Sequence, residues 1–266
     1  MLCYLPPDPL LALSDRRGFD LKEKLKTATW DSSPIIFSDF DGTVSLVDVT
    51  DMILEQFADP SWREVEKSWV RGEIGSEECL RRQMALVKAA PKQLNALIDA
   101  IPLDPDFSSF YRFTREQGLP FYILSDGFDY VIRRVLKRAG ADGELRNGKH
   151  LFSSALRLTE GGLQVSFPHS KIGCPHGCAT CKAAIIQRLR GKRRPVVFVG
   201  DGLSDRFGVE EADIIFAKHE LLDYCRERGL AHFPFETFAE VQAGVAKLLG
   251  TEANSCATAL DVAAET

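Results

Sequence analysis

Three short apolar runs, each followed at once by polar residues, most constrain how this chain of 266 residues can fold. The runs are Ile35–Phe37, Leu119–Leu124 and Pro195–Val199, and each is typical of a buried strand. Helical patterns separate them, which favours an α/β fold with a parallel sheet and helices on both faces. Ligands of such sheets bind beyond the carboxyl ends of the strands. The sequence therefore predicts a functional site built from the polar residues that follow the strands.

The first run ends in two carboxylates, Asp39 and Asp41, followed by Gly42. Side chains two residues apart on a strand share a face, so both carboxylates are expected to project together, with Phe40 turned toward the core. Two like charges this close require either a proton or a cation between them. We interpret Asp39 as a nucleophile that attacks phosphorus, and Asp41 as the acid and base that serves the leaving alcohol and the attacking water.

The polar residues after the second run are typical of a phosphate site. The hydroxyl of Ser125 and the amides of Asp126 and Gly127 could hold phosphate oxygens at a helix N-terminus, although a plain helix cap is the alternative. A lysine is expected to offset the charge of the phosphoryl group. Lys182 heads a predicted helix near the strand ends, and we favour it over Lys171.

Two further carboxylates, Asp201 and Asp205, flank a Gly-rich turn after the third run. Together with Asp39 they would gather several carboxylates around one point. Hard oxygen ligands of this kind suit Mg²⁺, which screens the nucleophile from the incoming phosphate and stabilises the transferred charge.

A purely helical pattern covers about residues 48–117 and is long for a single crossover between strands. We interpret it as a four-helix cap inserted into an α/β core of residues 34–47 and 118–250. Residues 1–33 are expected to form an N-terminal extension, and residues 251–266 a flexible tail.

Composition excludes several classes of protein. The net charge of −5 and the absence of a basic patch argue against a nucleic-acid partner. No apolar run reaches the roughly 20 residues that cross a bilayer, and the N-terminus lacks the basic region of a signal peptide. The seven cysteines are an odd number, and four of them are scattered, which is typical of a reducing compartment. We therefore expect a cytoplasmic protein without a nucleic-acid or membrane partner.

The other three cysteines, Cys174, Cys178 and Cys181, lie close together with His169 and His176 nearby. These soft ligands could hold a structural Zn²⁺, but their spacing is not that of a standard paired knuckle. A disulfide and reduced structural thiols are the alternatives.

The chain resembles the haloacid dehalogenase (HAD) superfamily of phosphotransferases in four motifs. These are, in order, Asp39-Phe40-Asp41-Gly42-Thr43, Ser125, Lys182, and Gly200-Asp201-Gly202 with Asp205. The helical segment resembles the four-helix cap of phosphoserine phosphatases. The resemblance covers about residues 34–250 and is specific for the superfamily rather than for a substrate.

A closer resemblance is to the methionine-salvage phosphatases that act on 2-hydroxy-3-keto-5-methylthiopentenyl-1-phosphate. It rests on three segments, which are Pro168-His169-Ser170 with the cysteine-rich loop that runs into Cys181-Lys182, Phe216-Ala217-Lys218, and Leu230-Ala231-His232-Phe233-Pro234. Phosphocholine and phosphoethanolamine phosphatases with this type of cap also carry cysteines before the lysine.

The resemblance implies a role for each motif residue. Asp39 would be the nucleophile and a Mg²⁺ ligand, and Asp41 the acid and base, with its backbone carbonyl on the metal. Asp201 would be a metal ligand, and Asp205 a ligand or the partner of one. Ser125 and Lys182 would bind phosphate.

In the cap, the resemblance places a substrate-facing carboxylate at Asp48. The cap arginine of phosphoserine phosphatases falls at Gln83, which counts against phosphoserine as the substrate. Arg82, beside it, is the second candidate for a substrate-contacting residue of the cap. Ser125-Asp126-Gly127 also departs from the Ser-Gly-Gly that is usual at this motif.

We expect a Mg²⁺-dependent phosphomonoesterase that acts on a small metabolite through an aspartyl-phosphate. The methionine-salvage intermediate is the leading substrate, and phosphoserine or phosphocholine and phosphoethanolamine are the alternatives. Dehalogenation is disfavoured because it needs no metal, and the complete motif set disfavours a non-catalytic binding protein. The sequence does not predict an oligomeric state.

Overall fold

A mostly parallel sheet forms the centre of the protein in a computed structural model that describes residues 33–141, 145, 149–191 and 194–250. Within these residues the sheet has seven strands in the order β4-β3-β2-β1-β5-β6-β7. Every neighbouring pair is parallel except β3 and β4, which are antiparallel. The strands are β1 (Ile35–Ser38), β2 (Phe121–Phe128), β3 (Leu151–Thr159), β4 (Gly162–Ser166), β5 (Val196–Gly200), β6 (Ile214–Ala217) and β7 (Phe233–Pro234).

Helices cover both faces of the sheet, as the sequence predicts. In chain order they are α1 (Val49–Phe57), α2 (Trp62–Val70), α3 (Ser76–Ala85), α4 (Pro91–Asp99), α5 (Phe107–Glu116), α6 (Asp129–Arg138), α7 (Lys182–Arg190), α8 (Arg206–Val209), α9 (His219–Arg228) and α10 (Phe238–Leu248). None of the helices in the described ranges is long and apolar enough to cross a membrane.

Strand β1 shows why the central strands are continuously apolar. Ile36 packs into the core on one face of the sheet, while Ile35 and Phe37 pack into the core on the other face. All three side chains are buried, because helices cover both faces. The alternation continues past the strand, so Phe40 joins the same core as Ile36, and Asp39 and Asp41 are left at the strand's end.

The structure differs from the predicted strands at two places. Strand β2 does not end at Leu124 but continues to Phe128, because Phe128 pairs with Ser154 of β3 and the Ser154 hydroxyl donates to the Asp126 carbonyl at 2.7 Å. Strand β7 is not predicted, because two residues are too few to show a pattern. The predicted extension of residues 1–33, apart from residue 33 itself, and the predicted tail of residues 251–266 lie outside the described residues.

The chain leaves the sheet for helices α1–α4 and returns through two segments that run side by side. The Leu46 amide donates to the Pro102 carbonyl at 3.0 Å, and the Asp104 amide donates to the Val44 carbonyl at 3.0 Å. These paired connections enclose the four helices that we propose as the cap.

Helix α5, which the predicted boundary of residues 48–117 assigns to the cap, packs on the sheet. The Phe110 ring lies 5.8 Å from the Phe121 ring of β2 and 5.0 Å from the Phe238 ring of α10, measured between centroids. Phe107 lies 5.3 Å from the same Phe238 ring. These rings are buried and hold α5 and α10 against one face of the sheet.

Replacing Phe110 by Ala should therefore lower the free energy of unfolding by about 3–5 kcal/mol, because it leaves a cavity among these rings. Urea denaturation measures the loss. Phe113→Ala is the matched control on the same helix, since that side chain is only partly buried. An equal loss in both variants would contradict the packing described for α5.

Candidate active site

A cleft of about 470 Å³ lies between the carboxyl ends of the strands and helices α1, α2 and α3. Its floor includes Asp39 and Asp41 after β1, Ser125 within β2, and Asp201 after β5. The strands β2, β1 and β5 are adjacent in the sheet, so their polar ends meet at one edge. This is the convergence that the sequence predicts.

A buried charge network lies beneath this floor. Lys182 Nζ is 3.0 Å from Asp39 Oδ1 and 2.5 Å from Asp205 Oδ1, and it donates to Ser204 Oγ at 3.2 Å. Lys182 is 2% exposed, Asp39 4% and Asp205 0%. Lys182 begins α7, which places its ammonium group among the strand ends, whereas Lys171 is exposed. The structure thus brings Lys182, and not Lys171, to the site.

Asp205 uses both of its carboxylate oxygens within the protein. Oδ1 accepts from Lys182, and Oδ2 accepts from the amides of Asp201 and Gly202 at 3.1 and 3.3 Å. Asp205 therefore shapes the turn that presents Asp201 and holds the Lys182 ammonium in place. These contacts match the role of a partner better than that of a direct metal ligand.

Asp41 is fixed between the cap connection and β2. Its Oδ1 accepts from the Val49 amide at the start of α1 at 3.0 Å, and its Oδ2 accepts from Ser125 Oγ at 3.3 Å. The Ser125 oxygen in turn accepts from the Gly127 amide at 2.9 Å. The carboxyl group of Asp41 thus lies beside the hydroxyl group that is predicted to bind phosphate.

Asp201 is held by residues that the sequence analysis did not single out as site residues. Thr43 Oγ1 donates to Asp201 Oδ1 at 2.6 Å, and His219 Nδ1 lies 3.5 Å from Oδ2. His219 has a φ of 47°, which is rare for a residue with a side chain. Thr43 could have been recognised from its place in the first motif, but nothing local in the sequence marks His219.

The floor concentrates negative charge. Carboxylate oxygens of Asp39, Asp201 and Asp205 lie within 4.8 Å of one another. Burial and then the charge of Asp205 raise the pKa of Asp39 well above its ordinary value. Burial, followed by the negative charge of Asp48, likewise raises the pKa of Asp41 well above its ordinary value. For Lys182, burial lowers the pKa, but the charges of Asp205 and Asp39 outweigh it and raise the pKa, so the ammonium stays charged.

Asp39 Oδ1 is buried and has no hydrogen-bond partner among the described residues, although it lies close to the Lys182 ammonium. The buried Asp39 carboxylate, with carboxylate oxygens of Asp201 and Asp205 within 4.8 Å, belongs to a group of hard oxygen ligands that fits a divalent cation such as Mg²⁺.

Asp126 and Gly127, which are predicted to bind phosphate, have two different structural roles. Asp126 Oδ1 accepts from the Thr180 amide at 2.8 Å, so this carboxylate anchors the cysteine-rich loop. A Cβ at Gly127 would collide with Asp41 Oδ2, so only glycine allows this backbone to approach the carboxylate so closely.

Of the two predicted cap residues, the structure brings only Asp48 to the cleft. Asp48 caps α1 by accepting from the Asp51 amide at 2.9 Å. Asp48 is exposed within the cleft, and the surrounding protein, followed by the negative charge of Asp51, raises its pKa above the ordinary value. Arg82 is exposed and does not line the cleft, and its Nε forms a salt bridge with Glu78 Oε1 at 2.7 Å. The neighbouring Gln83 faces the cleft instead, where its amide nitrogen donates to Glu66 Oε2 at 2.7 Å.

The upper wall of the cleft also contains Glu66 and Trp69, which the sequence analysis missed. Trp69 follows the apolar spacing of α2 and so cannot be told from a core residue by pattern alone. Among the described residues that line the cleft, none is lysine or arginine.

The cysteine cluster does not have the geometry of the predicted zinc site. Cys174 Sγ and Cys178 Sγ are 3.8 Å apart, and the five cysteines in the described ranges are free thiols. Within those ranges, the one group of three or more ligands close enough to share a metal ion is the aspartate group of the floor. The structure therefore supports a metal site at the strand ends and gives no support for zinc.

Comparison with known proteins agrees with this site. The family model of haloacid dehalogenase-like hydrolases matches residues 36–206. The 2-hydroxy-3-keto-5-methylthiopentenyl-1-phosphate phosphatase of Bacillus velezensis is 29% identical over 80% of this chain and 90% of its own length. The enzyme of the same name from Geobacillus thermodenitrificans is 30% identical over 78% of this chain and 93% of its own length.

Solved structures show the same fold at lower identity. A substrate-bound phosphoserine phosphatase complex has a TM-score of 0.61 and is 17% identical, covering 80% of this chain and 99% of that protein. A HAD family hydrolase from Salmonella enterica serovar Typhi has a TM-score of 0.65 and is 18% identical, covering 91% of this chain and 83% of that protein.

Gly42 should be essential to the geometry of this site. Its φ is +71°, and a Cβ there would collide with Asp201 Oδ2. We expect Gly42→Ala to lower hydrolysis of p-nitrophenyl phosphate by roughly 100-fold, because a displacement of about 1 Å in a catalytic group costs that much.

Gly118→Ala is the matched control, since Gly118 has a φ of +64° but no atom within 4 Å of its added Cβ. Both variants should lose about 1 kcal/mol of stability from backbone strain, and Gly42→Ala should lose more because of its collision with Asp201. Equal activity in the two variants would show that the close approach of Gly42 to Asp201 does not matter.

Proposed function

Because the chain belongs to the haloacid dehalogenase-like hydrolase family and is a phosphomonoester hydrolase, we propose that it removes the phosphate of 2-hydroxy-3-keto-5-methylthiopentenyl-1-phosphate. The observation that carries this proposal is a single cleft with the phosphate motifs at its floor and an apolar group on its wall. Leu46, Trp69 and Val70 form that group. A substrate that carries both a phosphate and an apolar methylthio group matches a cleft that offers both kinds of lining. The relatives that bear this activity in their names support the same choice.

We propose Mg²⁺ as the cofactor, held by Asp39, Asp201 and the backbone carbonyl of Asp41. The burial of Asp39 and the convergence of its carboxylate with those of Asp201 and Asp205 support this assignment. When bound, the ion supplies positive charge that lets a phosphate dianion approach the carboxylates and stabilises the transferred phosphoryl group. Asp205 acts as a positioning residue for Lys182 and Asp201.

The proposed reaction has two steps. Asp39 attacks phosphorus, the bond from phosphorus to the ester oxygen breaks, and Asp41 gives its proton to that oxygen. Asp41 then takes a proton from water, which attacks the phosphoryl group and frees Asp39 and inorganic phosphate. The raised pKa of Asp41, caused by burial and then by Asp48, suits a group that must donate a proton. Lys182 and Ser125 bind the phosphate oxygens during both steps.

The cap disfavours phosphoserine. A substrate carboxylate would meet Gln83 and Glu66, whose side chains are hydrogen-bonded to each other. It would find no lysine or arginine among the described residues that line the cleft. An anionic substrate tail would therefore be repelled rather than bound.

The same wall favours a second candidate, a phosphorylated amino alcohol such as phosphocholine or phosphoethanolamine. Asp48, Asp51 and Glu66 line the cleft, and none of them forms an ion pair with a described lysine or arginine. Trp69 on the same wall could also contact a quaternary ammonium group.

We further propose that the protein works in a reducing, cytoplasmic environment, which the free thiols of the described cysteines support. Its partner is a small phosphate ester.

Asp39→Asn should abolish hydrolysis of p-nitrophenyl phosphate, by at least about 1000-fold, because the amide cannot form the aspartyl-phosphate. Chelation with EDTA should remove the activity of the unaltered protein, and Mg²⁺ should restore it. Circular dichroism checks that the variant is folded. Asp223→Asn is the control, since Asp223 is exposed on α9 and pairs with Arg226. Activity retained in Asp39→Asn would refute the nucleophile assignment.

A substrate panel with Asp51→Asn separates the two candidates. We expect kcat/KM to be highest for the methylthio substrate and to change less than about threefold in the variant, because a neutral tail makes no ion pair with Asp51. If the substrate is an amino alcohol phosphate, Asp51→Asn should lower kcat/KM roughly tenfold for that substrate and leave kcat/KM for the other substrates unchanged. Highest activity on phosphoserine would contradict both candidates.

A further inference from the structure

The loop of residues 169–181, which follows β4, connects the cap to the floor of the active site. On the cap side, the Gly177 carbonyl accepts from the Glu77 amide at 3.1 Å. The Ala179 amide donates to Ser76 Oγ at 2.9 Å. Both cap residues lie in the first turn of α3, and Cys79, Leu80 and Gln83 of the same helix line the cleft. We call these two hydrogen bonds the clasp.

On the core side, the same loop contacts the phosphate motif. Thr180 donates through its amide to Asp126 Oδ1 and through its hydroxyl to the Ser125 carbonyl, both at 2.8 Å. Lys182 follows two residues later. A change in the loop would therefore be transmitted both to the cap and to two residues of the proposed phosphate site.

The clasp has little room for adjustment. Gly177 has a φ of +58°, and a Cβ on Gly75 would collide with the Gly177 carbonyl. The two backbones thus approach as closely as glycines allow. A shift of Gly177 must either break its bond to Glu77 or move the start of α3.

Two thiols flank this glycine. Cys174 Sγ and Cys178 Sγ are 3.8 Å apart, and both residues are half-buried. The Gly177 amide donates to the Cys174 carbonyl at 3.3 Å, which closes the turn between the two thiols. Sulfur atoms in a disulfide are about 2 Å apart, so bond formation must tighten the turn that carries Gly177.

The two thiols also differ in acidity. Burial acts to raise the pKa of Cys174, but hydrogen bonds from the amides of Cys178 and His176 outweigh it and leave the pKa below its usual value. Burial and then the charge of Asp126 raise the pKa of Cys178. A thiol of low pKa beside a second thiol is the usual arrangement of a redox-sensing pair.

We propose that Cys174 and Cys178 are an oxidisable pair whose disulfide opens the clasp and lowers phosphatase activity. A peroxide is the oxidant. The Cys174 thiolate attacks one peroxide oxygen, the O–O bond breaks, and the departing hydroxide takes a proton to give water and a sulfenic acid. The Cys178 thiol then attacks that sulfur, the S–O bond breaks and a second water leaves. Two thiols and hydrogen peroxide thus give one disulfide and two waters, and a dithiol reductant reverses the change.

The bond itself is tested by mass spectrometry on the full-length protein. Trypsin cleaves after Lys171 and Lys182, so one peptide, residues 172–182, contains all three loop cysteines. After treatment with hydrogen peroxide, free thiols are blocked with N-ethylmaleimide and the disulfide is reduced and labelled with iodoacetamide. We expect the second label on Cys174 and Cys178, with Cys181 blocked in the first step. A label on Cys181, or none, would overturn the pair.

The consequence is tested by activity and by hydrogen exchange. Oxidation should lower kcat/KM for p-nitrophenyl phosphate about tenfold, reversibly with dithiothreitol, and should speed exchange at the amides of Glu77 and Ala179. Cys174→Ser and Cys178→Ser should each keep the activity that the unaltered protein has in its thiol form. Both variants should lose the response to peroxide.

The matched control replaces Cys3 and Cys256 by Ser and should respond like the unaltered protein. Three results would overturn the proposal: equal inactivation in Cys174→Ser, a disulfide without change in activity or exchange, or one equivalent of tightly bound zinc in the purified protein.

Discussion

The buried contact of Lys182 with Asp39 and Asp205 is the interaction on which the site depends. A buried ammonium is stable only when carboxylates surround it, and buried carboxylates need the same compensation. Asp205 is the constant partner, because its other oxygen is bound to two amides of the turn after β5. Asp39 contacts the same ammonium through Oδ1, and this oxygen has no other partner among the described residues. The network therefore holds its geometry while it keeps one carboxylate available for chemistry.

The topology of the sheet explains how residues so far apart in the chain share this network. Strand β1 lies between β2 and β5, so the residues that follow it meet both the Ser125 segment and the Asp201 turn. Thr43 reaches Asp201 across 158 positions in the sequence. The floor is thus fixed by strand pairing, whereas the opposite wall belongs to helices that are connected to the sheet through the paired segments near residues 45 and 103.

The sequence predicts the floor well because strand alternation and helix starts are local patterns. The positions of Asp39, Asp41 and Lys182 at the strand ends could be predicted in this way, while their roles stay predictions. The continuation of β2 through Ser125 could not, because its polar residues are held in the sheet by Ser154 of another strand. Arg82 and Gln83 show a different limit. Neighbouring residues on a helix point about 100° apart, so which of them faces the cleft is decided by how α3 packs and not by counting from a motif.

The contrast between a rigid floor and a hydrogen-bonded cap explains why the cap is the part most easily adjusted. The floor contains buried charges whose separation would cost several kcal/mol each. The clasp consists of two hydrogen bonds worth about 1 kcal/mol each. Losing both hydrogen bonds costs about 2 kcal/mol. This is enough to change the ratio of closed to open cap by roughly thirtyfold without disturbing the sheet. Because the loop that forms the clasp also contacts the backbone of Ser125 and leads into Lys182, a change of this size at the cap reaches the phosphate end of the cleft as well.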